Sequence, residues 1–517
     1  MSRSKSFLIL VALSLVASST GACTFLVDVD ECASESDCVS NYGRGWTCGG
    51  ENLCERREIV DELDQGPCDG SAGPVEDPNT FNIGVLLPLS GEEGGDGTAM
   101  LDAIKLAQAN FNDLAGVDNR QIGLVICDTE GKDAVALEGA DHLVNDAGIE
   151  AIIGPNFSSQ TVDVATQYAI PNDVLLVSPS ATAVPISDLD DKNLVWRTTP
   201  SDALQAHAMG LLVSDVLDGL AADDPDVVKL AILARQDDVY AQGLRESLVQ
   251  YLPDEVINGG EHRLQILNYQ NTSAGQGSDY SGVVAEVTTK SVKPDVVVIL
   301  GFAEAWQISR QLDSELDADT IYIFADAGRV AEEANDAASD PLEGRVMGTA
   351  PGSASSSSYV PWQSFKSAYQ ATYQQNPADI QYVANAYDAL YAIGLAAAGS
   401  GFTGPELAQG MAKLSDGETI NATQSDLSRG LTTRAGGSSI DLQGASGELD
   451  WNDNGDPTVG EVSFWCLRNR AVPDQGVLYD RQGNFTNVGC AEDSCEVDTD
   501  CPESHVCGSN GTCDPSN

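Results

Sequence analysis

The stretch from Ile152 to Ala183, IIGPNFSSQTVDVATQYAIPNDVLLVSPSATA, limits the fold more than any other part of the chain. Ala151–Ile153 is a short apolar run stopped by Gly154-Pro155. Val174–Val177 is a second such run, and it empties into Ser178-Pro179-Ser180-Ala181-Thr182. Short apolar runs bounded by breakers are buried strands, and a helix between them makes the two strands parallel neighbours. Their carboxyl ends then lie on one side, which places Ser158, Ser180 and Thr182 next to each other where open sheets bind ligands. Ser158 and Ser159 also stand at a helix start, where free N–H groups and the helix dipole favour an anion. Hydroxyls and N–H donors together suit a carboxylate. The alternative is that these Ser and Thr residues serve only as caps and turn residues.

The same alternation continues on both sides. Phe81–Gly91 (FNIGVLLPLSG) starts with a buried strand. Met100, Ile104, Ala107, Phe111 and Leu114 line one face of the next helix at spacings of three and four. Ile122–Cys127 is a strand and Asp133–Asp146 a helix. After Pro200, helices over 202–217, 239–252 and 280–290 alternate with strands over 228–234, 263–268, 295–300 and 320–324. Such alternation predicts an α/β fold, with parallel sheets covered by helices on both faces. At 517 residues the chain exceeds one small core, so two lobes are expected. A net charge of −53, from 79 acidic and 26 basic residues, argues against nucleic acid and anionic membrane surfaces as partners.

IIGPNFSSQT followed by VLLVSPSATA resembles the ligand loops of the type I periplasmic binding proteins, in particular the Leu/Ile/Val- and amide-binding branch. The resemblance runs from about Phe81 to about Asp480. It implies two doubly wound parallel-sheet lobes joined by a three-strand hinge and closing on a small ligand. Asn193–Thr199 and Arg345–Pro351 resemble the first two crossovers, and QYVANAYDALYAIGLA resembles the family's long late helix. The resemblance assigns the ligand's α-carboxylate to Ser158, Ser180 and Thr182, with Phe157 and Ala181 in the same loops. Tyr240, in Asp238-Val239-Tyr240-Ala241-Gln242-Gly243, faces the ligand from the second lobe. Phe302 covers it, and Asp326 is the acid placed for the α-ammonium, one position off the family pattern. Where the family carries an aromatic residue in the first cleft loop, this chain has Glu92, Glu93 and Asp96. That departure admits a polar or cationic side chain. The implied function is capture of an amino acid or related small amide or carboxylate for an ABC permease, by a monomer without a cofactor. A surface-anchored sensor or adhesion protein on the same fold is the alternative.

The expected organisation is a signal peptide over 1–22, a Cys-rich module over 23–60 and a linker over 61–79. Lobe 1 follows over 80–197, lobe 2 over 198–346, and the return to lobe 1 over 347–445. A third crossover with the last strands of lobe 2 covers 446–488, and a second Cys-rich module covers 489–517. The leader has a basic start and a short apolar run before small residues. Gly21-Ala22-Cys23 resembles a bacterial lipobox, with Thr20 where Leu is usual. Lipidation of Cys23, as the chain's only membrane attachment, leaves an even twelve cysteines. Cys32, Cys38, Cys48 and Cys54 match Cys495, Cys501, Cys507 and Cys513 in spacing and in flanking SDC/TDC and CGGENLC/CGSNGTC. Modules this small depend on disulfides in an oxidising compartment, although four cysteines leave three pairings open. Of the rest, Cys68 is expected to pair with Cys127 and Cys466 with Cys490.

Asp450-Trp451-Asn452-Asp453-Asn454-Gly455 with Glu461 fits the EF-hand formula, which would make Asp450, Asn452, Asn454 and Glu461 calcium ligands. Pro457 and the apolar strand after it oppose this, so no metal is expected. The four histidines lie away from the cleft loops, and no GxSxG, HExxH or P-loop pattern occurs. The chain is expected not to be an enzyme.

Overall fold

The computed structural model describes residues 31–486, except 51, 58, 60–65, 92, 224–228, 259–262, 272–278, 291–292, 353–357, 459 and 481–482, together with the backbone of 505–507 and 513–515. The leader, Cys23, Cys490, Cys495 and Cys501 lie outside the described residues.

The described residues from Glu31 to Arg57 form a unit of their own. A helix over Glu35–Tyr42 precedes a hairpin of β1 (Trp46–Cys48) and β2 (Cys54–Arg56). Disulfides Cys32–Cys48 and Cys38–Cys54 close it, pairing first with third and second with fourth. Cross-links here replace the core that so short a segment cannot build.

In the larger unit, β3 (Gly70–Ala72), β4 (Phe81–Leu87), β5 (Ile122–Asp128), β6 (Ala151–Ile153), β7 (Leu175–Ser178) and β8 (Val195–Arg197) form the lobe 1 sheet. Its order is β3-β5-β4-β6-β7-β8, parallel except for β3. Lobe 2 contains β9 (Leu230–Arg235), β10 (Leu264–Tyr269), β11 (Val296–Leu300), β12 (Ile321–Phe324) and β13 (Val346–Gly352). A short parallel pair, β14 (Glu418–Asn421) and β15 (Ile440–Gln443), follows in the part returned to lobe 1. The chain then re-enters lobe 2 as β16 (Glu461–Cys466) and β17 (Asp474–Tyr479), giving the order β10-β9-β11-β12-β13-β16-β17, in which only the pairings β13-β16 and β16-β17 are antiparallel. Interior strands such as β11, VVVIL, are buried at every residue, as helices on both faces require.

Two segments differ in detail from the sequence reading. The stretch taken as a linker contributes β3 and is fastened to lobe 1 by the Cys68–Cys127 disulfide. The second crossover lies after β13, because residues 346–352 are still paired within the lobe 2 sheet. Cys466 is disulfide-bonded, and its expected partner Cys490 lies outside the described residues. At the far end β18 (His505–Cys507) and β19 (Cys513–Pro515) pair Cys507 with Cys513, in the register of Cys48 with Cys54. The repeat seen in the spacing is thus a repeat of hairpin register. Among the described residues no helix is long and apolar enough to cross a membrane.

Candidate functional site

β6 and β7 are adjacent and parallel, with Ile153 opposite Val177, so the loops after them lie together. Gly154 holds a φ of +109°, and a Cβ there would meet the Leu86 carbonyl oxygen at 2.1 Å. Only glycine lets the chain turn off β6 so close to β4. Three hydroxyls then join the loops. Ser178 Oγ donates to the Pro155 carbonyl at 2.7 Å and accepts from Ala181 N at 3.0 Å. Ser180 Oγ donates to the Asn156 carbonyl at 2.8 Å, and Ser158 Oγ accepts from Ala183 N at 3.2 Å. Ser158, Ser180, Ala181 and Thr182 are buried, with Phe157 half-buried beside them. The Thr182 carbonyl accepts from Asp202 N at 2.8 Å, which joins this loop to the helix Asp202–Asp223 that enters lobe 2.

Asp326 opens a short 3-10 turn after β12. Its Oδ1 accepts from the Tyr240 hydroxyl at 2.7 Å and from Gln205 Nε2 at 2.8 Å, and its Oδ2 accepts from the Tyr382 hydroxyl. Gln381 Nε2 donates to the Asp326 carbonyl at 3.1 Å. Gln381 and Tyr382 belong to the part of the chain that has returned to lobe 1, so these bonds cross the cleft. Tyr382 sits at a φ of +61°, a conformation costing a non-glycine residue about 1 kcal/mol. Such strain persists where surrounding contacts over-determine it. Across the cleft the Phe157 and Phe302 rings meet edge-on with centroids 5.7 Å apart, and the Arg235 guanidinium stands 4.9 Å from the Phe302 centroid. Burial, and then the Asp326 charge, push the Tyr240 and Tyr382 hydroxyls well above their ordinary pKa, which keeps both as donors.

The structure therefore brings Phe157, Ser158, Ser180, Ala181 and Thr182 into one loop pair, and gathers Tyr240, Phe302 and Asp326 opposite them. Sequence reasoning missed Asp202, Gln205 and Tyr382. Asp202 entered that reading only as the first residue of a helix, and Tyr382 only as part of the long late helix. It also left Arg197 without a partner. Arg197 is fully buried; its Nε donates to Asp456 at 2.8 Å, Nη1 to the Ala183 carbonyl at 3.0 Å and Nη2 to Ser187 Oγ at 2.7 Å. One guanidinium thus holds the loop after β7, the end of β8 and the turn before β16 together. Gly455, at a φ of +71°, lets the third crossover pass so near that a Cβ would lie 2.4 Å from the Val195 carbonyl.

The EF-hand formula describes a turn here. Asn452 Oδ1 accepts from Asn454 N at 2.8 Å and Asp456 N at 3.1 Å, so it is taken up by its own turn. Glu461 is already the first residue of β16. Asp450 instead lies with Asp441 and Glu448, and burial, followed by the Glu448 charge, pushes its carboxyl up to about 6. The formula's spacing is met by a hairpin that supports the hinge.

The sequence profile of the family described as Periplasmic binding protein matches residues 80–434. The chain is 28% identical over 418 residues to the chemotactic signal transduction system substrate-binding protein BasB of Halobacterium salinarum, covering 79% of this chain and 92% of that protein. It is 28% identical over 268 residues to Leu/Ile/Val-binding protein homolog 2 of Brucella abortus, covering 51% and 65%. Its fold is similar to that of the leucine-binding protein LivK of Thermotoga maritima, with a TM-score of 0.60, 20% identity and coverage of 77% and 98%. It is also similar to LivJ of Streptococcus pneumoniae in complex with isoleucine, with a TM-score of 0.59, 20% identity and coverage of 77% and 99%.

Proposed function

This chain belongs to the periplasmic binding protein family, type I, of the Leu/Ile/Val-binding kind, and on that premise we propose that it captures an amino acid or related small amide or carboxylate between its lobes. The observation that carries the reading is the pairing of opposite chemistries across one cleft. Ser158, Ser180 and Thr182 with their backbone N–H groups form a pole for a carboxylate. The acids around Asp326 form a pole for an ammonium group, and a zwitterion removed from water needs both. Tyr240 and Phe302 supply an apolar wall. Both lobes would touch the ligand, so binding favours the closed arrangement over an open one.

The family works outside the cytoplasm, which agrees with disulfides at Cys32, Cys38, Cys68 and Cys466. Anchoring through Cys23, a monomeric state and delivery to an ABC permease complete the transport reading. A sensor role is the second reading, favoured by the likeness to the chemotactic protein of Halobacterium salinarum over 92% of its length. Thermal unfolding of the full chain against amino acids, amides and small carboxylates tests the shared premise. A ligand at a hundred times its dissociation constant adds about 2.7 kcal/mol. The expected result is a shift for one amino-acid class that disappears in Ser158→Ala/Thr182→Ala. A flat response across the set refutes the amino-acid reading.

A further inference from the structure

Arg235 is the last residue of β9, at the carboxyl end of the lobe 2 sheet, where Tyr240, Phe302 and Asp326 also stand. Its side chain is 28% exposed and is fixed from two directions. The guanidinium stands 4.9 Å from the Phe302 ring centroid, and its Nη1 lies 3.7 Å from Glu304 Oε1. Glu304 is buried and accepts from the Tyr269 hydroxyl at 3.1 Å, so the anion beside Arg235 is itself held in place. Gln242 Nε2 donates to the Arg235 carbonyl at 2.6 Å, which fixes the backbone there. The ring contact and the ion pair orient the side chain without using up its N–H groups, since 3.7 Å is too long for a hydrogen bond. Among the described residues no acceptor lies within hydrogen-bonding distance of this guanidinium. Its donors stand at the edge of the cleft. The Phe302 ring beside it meets Phe157 of lobe 1 with centroids 5.7 Å apart. Asp238 nearby is acted on by the charges of both Arg235 and Asp133, and Asp133 opens the helix that follows β5 in lobe 1.

A guanidinium presents its N–H donors in one rigid plane and stays charged at any working pH. In an open cleft water satisfies those donors. When the lobes close on a ligand that water leaves, and a donor left against an apolar side chain costs free energy. An oxygen acceptor at the end of the ligand's side chain removes the cost, and an aliphatic side chain does not. We propose that Arg235 is a specificity-determining residue that donates to a carbonyl oxygen on the ligand's side chain, so that the preferred amino acid carries a carboxamide or a carboxylate there. The acids nearby, Glu304 and Asp238 in lobe 2 and Asp133 in lobe 1, tip the balance toward the carboxamide. Its NH2 group donates to acids, whereas another carboxylate is repelled by them. The assignment rests on the amino-acid reading above and names the side chain within it.

Titration calorimetry on the full chain tests it with the common L-amino acids. Glutamine, glutamate and methionine are the decisive probes, because they are similar in length and only the first two carry a side-chain carbonyl. Glutamine is expected to bind most tightly. Arg235→Met is expected to reduce the glutamine-to-methionine affinity ratio about tenfold to a hundredfold, the scale of a lost hydrogen bond to a charged group. Arg235→Lys keeps the charge but not the planar fork, so its ratio falls between the two. Melting temperatures of the ligand-free variants show whether each is folded, and Arg235→Lys carries the comparison if Arg235→Met is not. Glutamine ahead of glutamate identifies the carboxamide. Glutamate ahead of glutamine, with the same loss relative to methionine in Arg235→Met, identifies the carboxylate. A tightest ligand without a side-chain carbonyl, or a ratio to methionine that survives unchanged in the variants, overturns the assignment. Failure of the wild-type protein to bind any amino acid is a different result, which refutes the underlying reading and removes this assignment with it.

Discussion

Replacement of Arg197 by Met tests how the loop after β7 is tied to the hinge. The side chain is fully buried, and Met fills most of its volume, so the loss is of charge and hydrogen bonds more than of packing. Asp456 is left as a buried carboxylate without its cation, and breaking such a pair from one side costs about 3–5 kcal/mol. The Ala181 and Ala183 carbonyls lose their donor at 3.3 and 3.0 Å, which adds about 1 kcal/mol each. The sum is about 5–7 kcal/mol, comparable with the whole stability of a marginal protein, about 5–15 kcal/mol. Urea unfolding followed by tryptophan fluorescence measures it, and Trp451 is a local reporter because its Nε1 donates to the Arg197 carbonyl at 2.6 Å. The double variant Arg197→Met/Asp456→Leu removes both charges together. It is expected to be less destabilised than the sum of the single changes by about 2 kcal/mol or more. Arg197→Lys keeps the charge but not the planar fork, so it falls between wild type and Met. A cost below about 1 kcal/mol for Arg197→Met, or strict additivity in the double variant, refutes the view that this pair holds the two crossovers together.

Reducing the Cys68–Cys127 bond, or replacing both residues by Ser, opens a loop with a sequence separation of 59 and is expected to cost about 4 kcal/mol; equal urea midpoints with and without reductant in a variant retaining only this disulfide would contradict that. Asp388 is raised to about 7 by burial, against hydrogen bonds from Ser446 and Ala445 that pull the other way. Because the folded pKa is the higher one, its contribution to stability is complete below about 3.8 and is lost as pH rises through about 7. Asp388→Asn should therefore flatten the fall in unfolding free energy between pH 5 and pH 8, and an unchanged slope counts against it. With 79 acidic and 26 basic residues, the native state should gain stability as sodium chloride rises from about 0.1 to 1 M and the screening length drops from about 10 to 3 Å. A melting temperature that does not move, or that falls, would show that the acids are too dispersed to repel.

Much of the cleft could be read from local pattern. The loops after β6 and β7 are legible because apolar runs, Gly-Pro and Ser-Pro breakers and a helix start all fall within one short stretch. Tyr240 and Phe302 could be placed because each follows a recognisable strand and the resemblance to the family assigns the loops there to the ligand. Asp326 was placed on the cleft by the same means, but its condition was not visible. Whether an acid is free or occupied depends on donors that come from Gln205, Tyr240 and Tyr382, up to 121 residues away. The EF-hand formula shows the converse: a strong local spacing occurs in a turn whose Asn452 serves its own backbone.

The sequence alone determined the alternation of strands and helices, the division into two lobes, the terminal Cys-rich repeats and the hydroxyl-rich loops. Hydrophobic period, breakers and cysteine spacing act over a few residues and need no knowledge of the rest of the fold. Tertiary structure alone decided which buried charges have partners. Arg197 meets Asp456 across a separation of 259 residues, and Tyr382 meets Asp326 across 56. The energy of a buried charge depends on what surrounds it in space, and the chain's own order does not record that.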